Sequence, residues 1–208
     1  MKQISRTFRA VAILAMAALL TGSCGNRKKA AQPAAEPVPE VTEAAETPAE
    51  TYFHAIDKYF TETIASQYAP AQISLSYHDY AAADESSPDD IQVWGDFWVE
   101  NYDVSGDTLK FVSGGNHSGK MHVRQDPEGR FTVLSMDAVG DGSQYLPTAK
   151  AIFGDKFEDF QRAHSDEKER EIIRGNVISE YVRTHGLNVH FYQDYGWPAV
   201  RIPTPDNR

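Results

Sequence analysis

Five residues of one stretch carry side chains able to bind a ligand or move a proton: Trp94, Asp96, Trp98, Glu100 and Tyr102. They alternate, so on a strand all five project to one side, opposite Ile91, Val93, Phe97 and Val99. Three large aromatics beside two carboxylates suit a cleft for a cationic or sugar-like ligand, or a sticky patch for a protein partner. Packing is the competing reading: the segment Leu146 to Phe160 would cover this face and make core of Trp94 and Trp98. Lys120, His122 and Arg124 also alternate, and they would pair with Asp96 and Glu100 if the two strands lay close together. Such cross-strand pairs contribute only about 0.2–1 kcal/mol and imply no reaction. A carboxylate–His pair is also general acid–base apparatus, because His titrates near neutral pH. That role requires burial and a cleft.

Other chemistry finds little support. His117 and His122 stand an odd number apart, as do His185 and His190, so on regular strands each pair faces opposite ways. No close metal-binding spacing and no cofactor motif occurs, so no metal or cofactor is expected. No Gly-x-Ser-x-Gly elbow is present, and the one Cys of the chain, Cys24, precedes any folded segment. Ser113-Gly-Gly-Asn-His-Ser-Gly119 is rich in glycine but lacks the Lys-Ser/Thr ending of a phosphate loop, so it reads as a hairpin tip. The formal charge is −10, and loss of Lys2, Arg6 and Arg9 with a leader would take it to about −13. Phosphate backbones would repel such a chain, which argues against nucleic acid as a partner.

The elements that position these residues follow from periodicity. Phe53, Ile56, Phe60 and Ile64 recur at helical spacing up to Pro70. Short antiparallel strands are expected next: Gln72–Tyr80, Ile91–Tyr102, Thr108–Ser113, Gly119–Arg124 and Phe131–Met136. Turns are expected at Ser105–Asp107, Gly114–Asn116 and Asp126–Gly129. Leu146–Phe153 reads as a helix with Pro147 in its first turn, and Phe157 with Phe160 as a small apolar turn. A second long helix runs from an Asp166/Glu169 cap to Gly186, and Leu187–Tyr192 forms a last strand. The expected class is α+β: an N-terminal helix on a curved antiparallel meander sheet, with further helices and one late strand.

The N-terminus gives an address. Lys2, Arg6 and Arg9 precede the uncharged run Ala10–Leu20, whose eleven residues would rise roughly 16 Å as a helix, too short to span a bilayer. Leu20-Thr-Gly-Ser-Cys24 then resembles the lipobox of bacterial lipoproteins, with Thr21 where an aliphatic residue is usual. The resemblance implies a signal peptide over 1–23 and lipid on Cys24, with the membrane as a partner. By resemblance to the sorting signals of Gram-negative lipoproteins, Gly25, which is not Asp, and the basic Asn26-Arg-Lys-Lys29 imply an outer-membrane lipoprotein facing the periplasm. The Ala/Pro/Glu composition up to Glu50 describes a disordered tether over 24–50. Every aromatic residue but Phe8 lies between Tyr52 and Trp197, so one domain is expected over 51–200, with a tail over 201–208.

Helix followed by curved meander resembles the cystatin-like superfold, which includes nuclear-transport-factor-two-like domains. Asp141-Gly-Ser-Gln-Tyr145 with Lys150-Ala-Ile-Phe153 is similar to extracytoplasmic domains of unknown function in bacterial lipoproteins and in tails of membrane-bound penicillin-sensor proteins. The likeness spans roughly Gln92 to Phe153. It implies a fold and an address, and no reaction. The favoured expectation is a non-enzymatic, tethered module that binds an envelope protein or a small ligand around Trp94 and Trp98. The alternatives are a small hydrolase or isomerase using Asp96, Glu100 and His122 in a cone-shaped cavity, and a structural homodimer.

Overall fold

The helical period of Phe53, Ile56, Phe60 and Ile64 is obeyed, and it places all four on the sheet side of the first helix. A computed structural model describes residues 51–204. The expected signal peptide, Cys24 and the expected tether lie outside the described residues. Helix α1 (Tyr52–Tyr59) continues through a π-helical turn, Phe60–Ile64, and a 3-10 turn, Ala65–Gln67. Its N-terminus is closed by a capping box between Thr51 and His54, the His taking the usual place of Glu.

Four long strands follow: β1 (Ile73–Asp84), β2 (Ile91–Ser105), β3 (Thr108–Gln125) and β4 (Phe131–Ala138). They pair antiparallel in chain order, with β4 on only the second half of β3, opposite Gly119–Gln125. The first half of β3 pairs in parallel with a short β5 (Phe191–Gln193), which in turn carries β6 (Val200–Arg201). The class is α+β, and the sheet is mixed where only antiparallel pairing was expected.

Two expectations need correction. Gly114–Asn116 is no turn: β3 passes straight through it as one strand of 18 residues. The glycines mark a close approach instead. A Cβ on Gly114 would lie 2.9 Å from Cα of Glu100 and collide with the Val99 carbonyl. The β2–β3 register slips beside this point, between Asn101 and Tyr102, and such a slip bends a sheet. Residues 201–204 are also no tail. The Ile202 amide donates to the His190 carbonyl at 2.9 Å, and the Pro203 carbonyl accepts from Ser179 Oγ at 2.7 Å.

The two faces of β2 build two cores. Ile91, Val93, Phe97 and Val99, with Met121 and Val123 of β3, pack under α1 and its extension, where Phe60 and Phe97 stack at 5.4 Å. The opposite face, with Trp94, Asp96, Trp98, Glu100 and Tyr102, is shared by Ile73, Leu75 and Tyr77 of β1, which stand directly opposite Tyr102, Glu100 and Trp98. Three late helices cover it: α2 (Tyr145–Phe153), α3 (Phe157–Ser165) and α4 (Glu167–Thr184). At the start of α4, Asp166 accepts from the Glu169 amide at 3.0 Å. Its C-terminus closes with a Schellman pair: Leu187 N–H reaches the Val182 carbonyl at 3.0 Å, and Gly186 (φ 61) reaches Arg183.

Candidate functional site

Alternation places the five β2 residues on one face, and the helices above divide them into three environments. Trp94 is half-buried. Its indole N–H donates to the Ile152 carbonyl at 2.9 Å, Lys156 and Lys120 sit 4.9 and 5.8 Å from its ring, and it packs against the Ala149–Phe153–Phe160 cluster. α2 and α3 thus cover part of Trp94 and pack against it. Tyr102, by contrast, is core, with no exposed surface.

Asp96 is buried, and its partner is His164 of α3. The Asp96 carboxylate accepts from Asn116 Nδ2, from Ser118 Oγ at 2.6 Å and, through Oδ2, binds His164 Nδ1 at 2.9 Å. Burial works against its charge, but the three hydrogen bonds outweigh that and hold its carboxyl below the usual range. The same hydrogen bond raises the His164 imidazole above its ordinary value. The expected pairing with His122 is not made. The β2–β3 register sets His122 opposite Gln92, whereas Ser118 stands opposite Asp96. His122 instead bridges Asp90 (2.7 Å) and Asp137 (3.3 Å), and Lys120 also binds Asp137, at 3.1 Å.

Glu100 is buried under α4 and meets Arg174. Arg174 Nε donates to Glu100 at 2.8 Å, while its two Nη groups fork onto the Asp194 carboxylate beyond β5. Tyr77 donates to Glu100 at 3.0 Å, and Tyr102 donates to it and accepts from Arg174 Nη2 at 2.9 Å. Burial pushes the Glu100 carboxyl up despite Arg174 and the two hydroxyls. Burial and the adjacent Glu100 charge raise both tyrosines. Arg174 is fully spent on these partners and lies 4.9 Å over the Tyr192 ring.

Beside this cluster opens a cleft of about 320 Å³, lined by Tyr77, Trp98, Phe111, Arg170, Tyr195 and Trp197, with Glu100, Arg174 and Asp194 in its wall. The Tyr77 and Trp98 rings are parallel within 2° at 5.9 Å, and the Arg170 guanidinium lies 4.9 Å from the Trp98 ring. Tyr195 and Trp197, on the β5–β6 loop, are 91% and 71% exposed. The loop is held by the Arg174–Asp194 fork and by Gln193 Nε2, which donates to the Trp197 carbonyl at 2.7 Å. Among the described residues Arg170 is the cleft's uncommitted cation, the nearest carboxylate being Glu171 at 4.0 Å. The arrangement can stack a planar or sugar-like ring and offer a guanidinium to an acceptor on it.

Of the expected residues, Trp98 and Glu100 thus reach one cleft, while Trp94, Asp96, Tyr102 and His122 do not line it. Arg170, Arg174, Asp194, Trp197 and His164 were missed. One signal was present: two carboxylates on a strand face to be covered by helices require cations, and Arg174 sits among the apolar positions Ile173, Val177 and Ile178. Among the described residues, no three His, Cys, Asp or Glu side chains are grouped to hold a metal. Comparison with protein-family models, with curated proteins and with solved structures finds no match.

Proposed function

We propose that this chain is an envelope lipoprotein, held by lipid on Cys24 at the periplasmic face of the outer membrane, whose domain is a non-enzymatic binding module. The cleft beside Trp98 is its binding surface, for a small ring-bearing ligand or a protein segment. One observation carries the reading: Tyr195 and Trp197 stand exposed on a loop pinned by a buried ion cluster, at the mouth of a cleft that already holds parallel Tyr77 and Trp98 rings. Large aromatics grouped in the open mark interaction sites more often than isolated ones do. Helix-then-meander order supports kinship with the cystatin-like superfold, and that kinship brings no reaction with it.

Native mass spectrometry of the full chain, before and after mixing with envelope extract, tests the proposal. The expected result is a retained ligand or partner mass that disappears in Trp197→Ala. A bare monomer in both runs, or a retained mass indifferent to Trp197 and Trp98, refutes it.

A second reading, a small hydrolase or isomerase, is favoured by one pair. His164 Nδ1 is fixed by the buried Asp96, and its Nε2 has no hydrogen-bond partner among the described residues. This is how an imidazole is oriented for proton transfer. Ester or glycoside turnover lost in His164→Gln would favour the enzyme, and its absence in the parent chain favours the binding module.

A further inference from the structure

A cavity of about 590 Å³ lies apart from the Trp98 cleft, between α1 and α4. Three successive β1 residues line it: Ser74, Leu75 and Ser76. Successive strand side chains point to opposite faces, so a cavity touching all three meets the edge of the strand. That edge is open among the described residues, where β1 pairs with β2 along its length and no strand lies on its other side. Among the described residues, the β1 main chain makes no further hydrogen bond to a backbone or side-chain group. One wall is Asp57 and Thr61, on α1 and its extension, and the other is the α4 surface around Val177 and Tyr181.

We propose that this slot receives an extended peptide that adds to the sheet as a strand beside β1, with apolar and basic side chains in alternation. An unpaired edge is a template for such pairing, in which main-chain bonds give affinity and alternate side chains give specificity. A second copy of this chain would bring its own α1 and α4 flanks to the same edge, whereas a bare segment of chain has no such flanks. Charge selects its residues: the carboxylates lining the slot are Asp57 and Glu180, no Lys or Arg lines it, and the whole chain carries −10. Glu180 is already paired with the Arg183 guanidinium. Asp57 accepts from Ser76 Oγ at 2.8 Å and, among the described residues, has only the imidazole of His78, 3.5 Å away, as a cationic neighbour. Asp57 is therefore the main anchor for an incoming Lys. Leu75, Val177 and Tyr181 supply the apolar contact.

The test uses a labelled peptide, acetyl-(Lys-Val)₃-amide, titrated into the full chain and followed by fluorescence anisotropy. Two more versions carry N-methyl groups on alternate amides, one in each register. The expected result is binding that weakens at least about tenfold with methyls in one register and little in the other, the signature of a paired strand edge. Asp57→Asn should weaken binding several-fold, Trp197→Ala should leave it unchanged, and amide NMR shifts should centre on Ser74–Ser76. Equal binding in both registers, equal binding of acetyl-(Glu-Val)₃-amide, shifts centred on Trp197, or no binding of the parent peptide would each overturn the proposal. Because the Trp98 cleft is read by Trp197→Ala, its failure and this one are separable.

Discussion

Arg174 donates to Glu100 at 2.8 Å across 74 residues of sequence, fastening helix α4 to the centre of strand β2. The same guanidinium forks onto Asp194, so one side chain also positions the loop that carries Tyr195 and Trp197. Glu100 is the member with no way out: it is buried, and its remaining oxygen is held by Tyr77. Removing the cation strands a carboxylate in the core. Arg174→Met should therefore cost about 3–5 kcal/mol in urea unfolding, and the double variant Glu100→Gln/Arg174→Met should cost clearly less. A single variant within about 1 kcal/mol of the parent would mean that Tyr77 and Tyr102 suffice to hold Glu100.

The three tryptophans should separate stability from binding. Trp94 is half-buried against α2 and tied to the Ile152 carbonyl, so Trp94→Ala should cost about 2–4 kcal/mol and leave cleft binding intact once the protein is folded. Trp197 is 71% exposed, and Trp197→Ala should stay within about 0.5 kcal/mol of the parent while binding is lost. Trp98, stacked on Tyr77 and under Arg170, should lose some of both. Thermal unfolding paired with the mass measurement on the same three variants decides it. A destabilised Trp197→Ala would make that side chain a packing element of the loop.

How much of this was legible depends on the range of the interaction. Local periodicity located α1, the β2 strand and its two faces, and the helix with Pro147 in its first turn, because those features depend on spacing along the chain. The β3 strand was cut in two at Gly114–Asn116 because glycine pairs read as turns, whereas here their missing side chains admit the Val99 carbonyl and the Tyr68 hydroxyl. Which partner each carboxylate would take was not legible. Asp96 and Glu100 are satisfied by His164 and Arg174, residues 68 and 74 positions away on helices whose docking no local rule fixes. His122 was assigned to them on strand proximity alone, and the β2–β3 register placed it beside Asp90 instead.

The Asp96–His164 pair gives a pH dependence with a definite sign. The His164 value is raised in the fold, so its contribution is complete below its ordinary 6.5 and is lost as pH rises through the raised value. The Asp96 value is lowered, so its contribution is present above its ordinary 3.8 and is lost as pH falls through the depressed value. The pair therefore stabilises most between about pH 4 and 6.5. Asp79, Asp166, Glu169 and Arg170 also face this cluster, with Asp79 raised by burial and by Asp96. Comparing the parent with His164→Gln at each pH cancels their titration. The gap in unfolding midpoint should be wide at pH 5.5 and should shrink by pH 9. A gap that is constant with pH would mean that His164 acts there as a neutral hydrogen-bond donor only.

Gly114 is the position where the path of the sheet depends on the smallest residue. Its φ of 151 is one that side chains rarely adopt, and the space a Cβ would take is filled by the Val99 carbonyl and by Cα of Glu100. Both neighbours are backbone of a central strand, so neither can move aside as a flexible side chain would. Gly114 also stands opposite Glu100, so a displaced β2 would pull that carboxylate away from Arg174. Gly114→Ala should thus cost about 2–4 kcal/mol, more than the loss of glycine's freedom alone explains, and should loosen the β5–β6 loop. Gly106, whose added Cβ would meet nothing within 4 Å, is the control: its φ of 64 makes Ala unfavourable by only about 1 kcal/mol. Denaturant unfolding of the two variants, with tryptophan fluorescence as a second signal, distinguishes a close approach from ordinary backbone strain. Equal costs at the two glycines would show that β2 and β3 can separate at Gly114 without penalty, and that the bend there is set elsewhere.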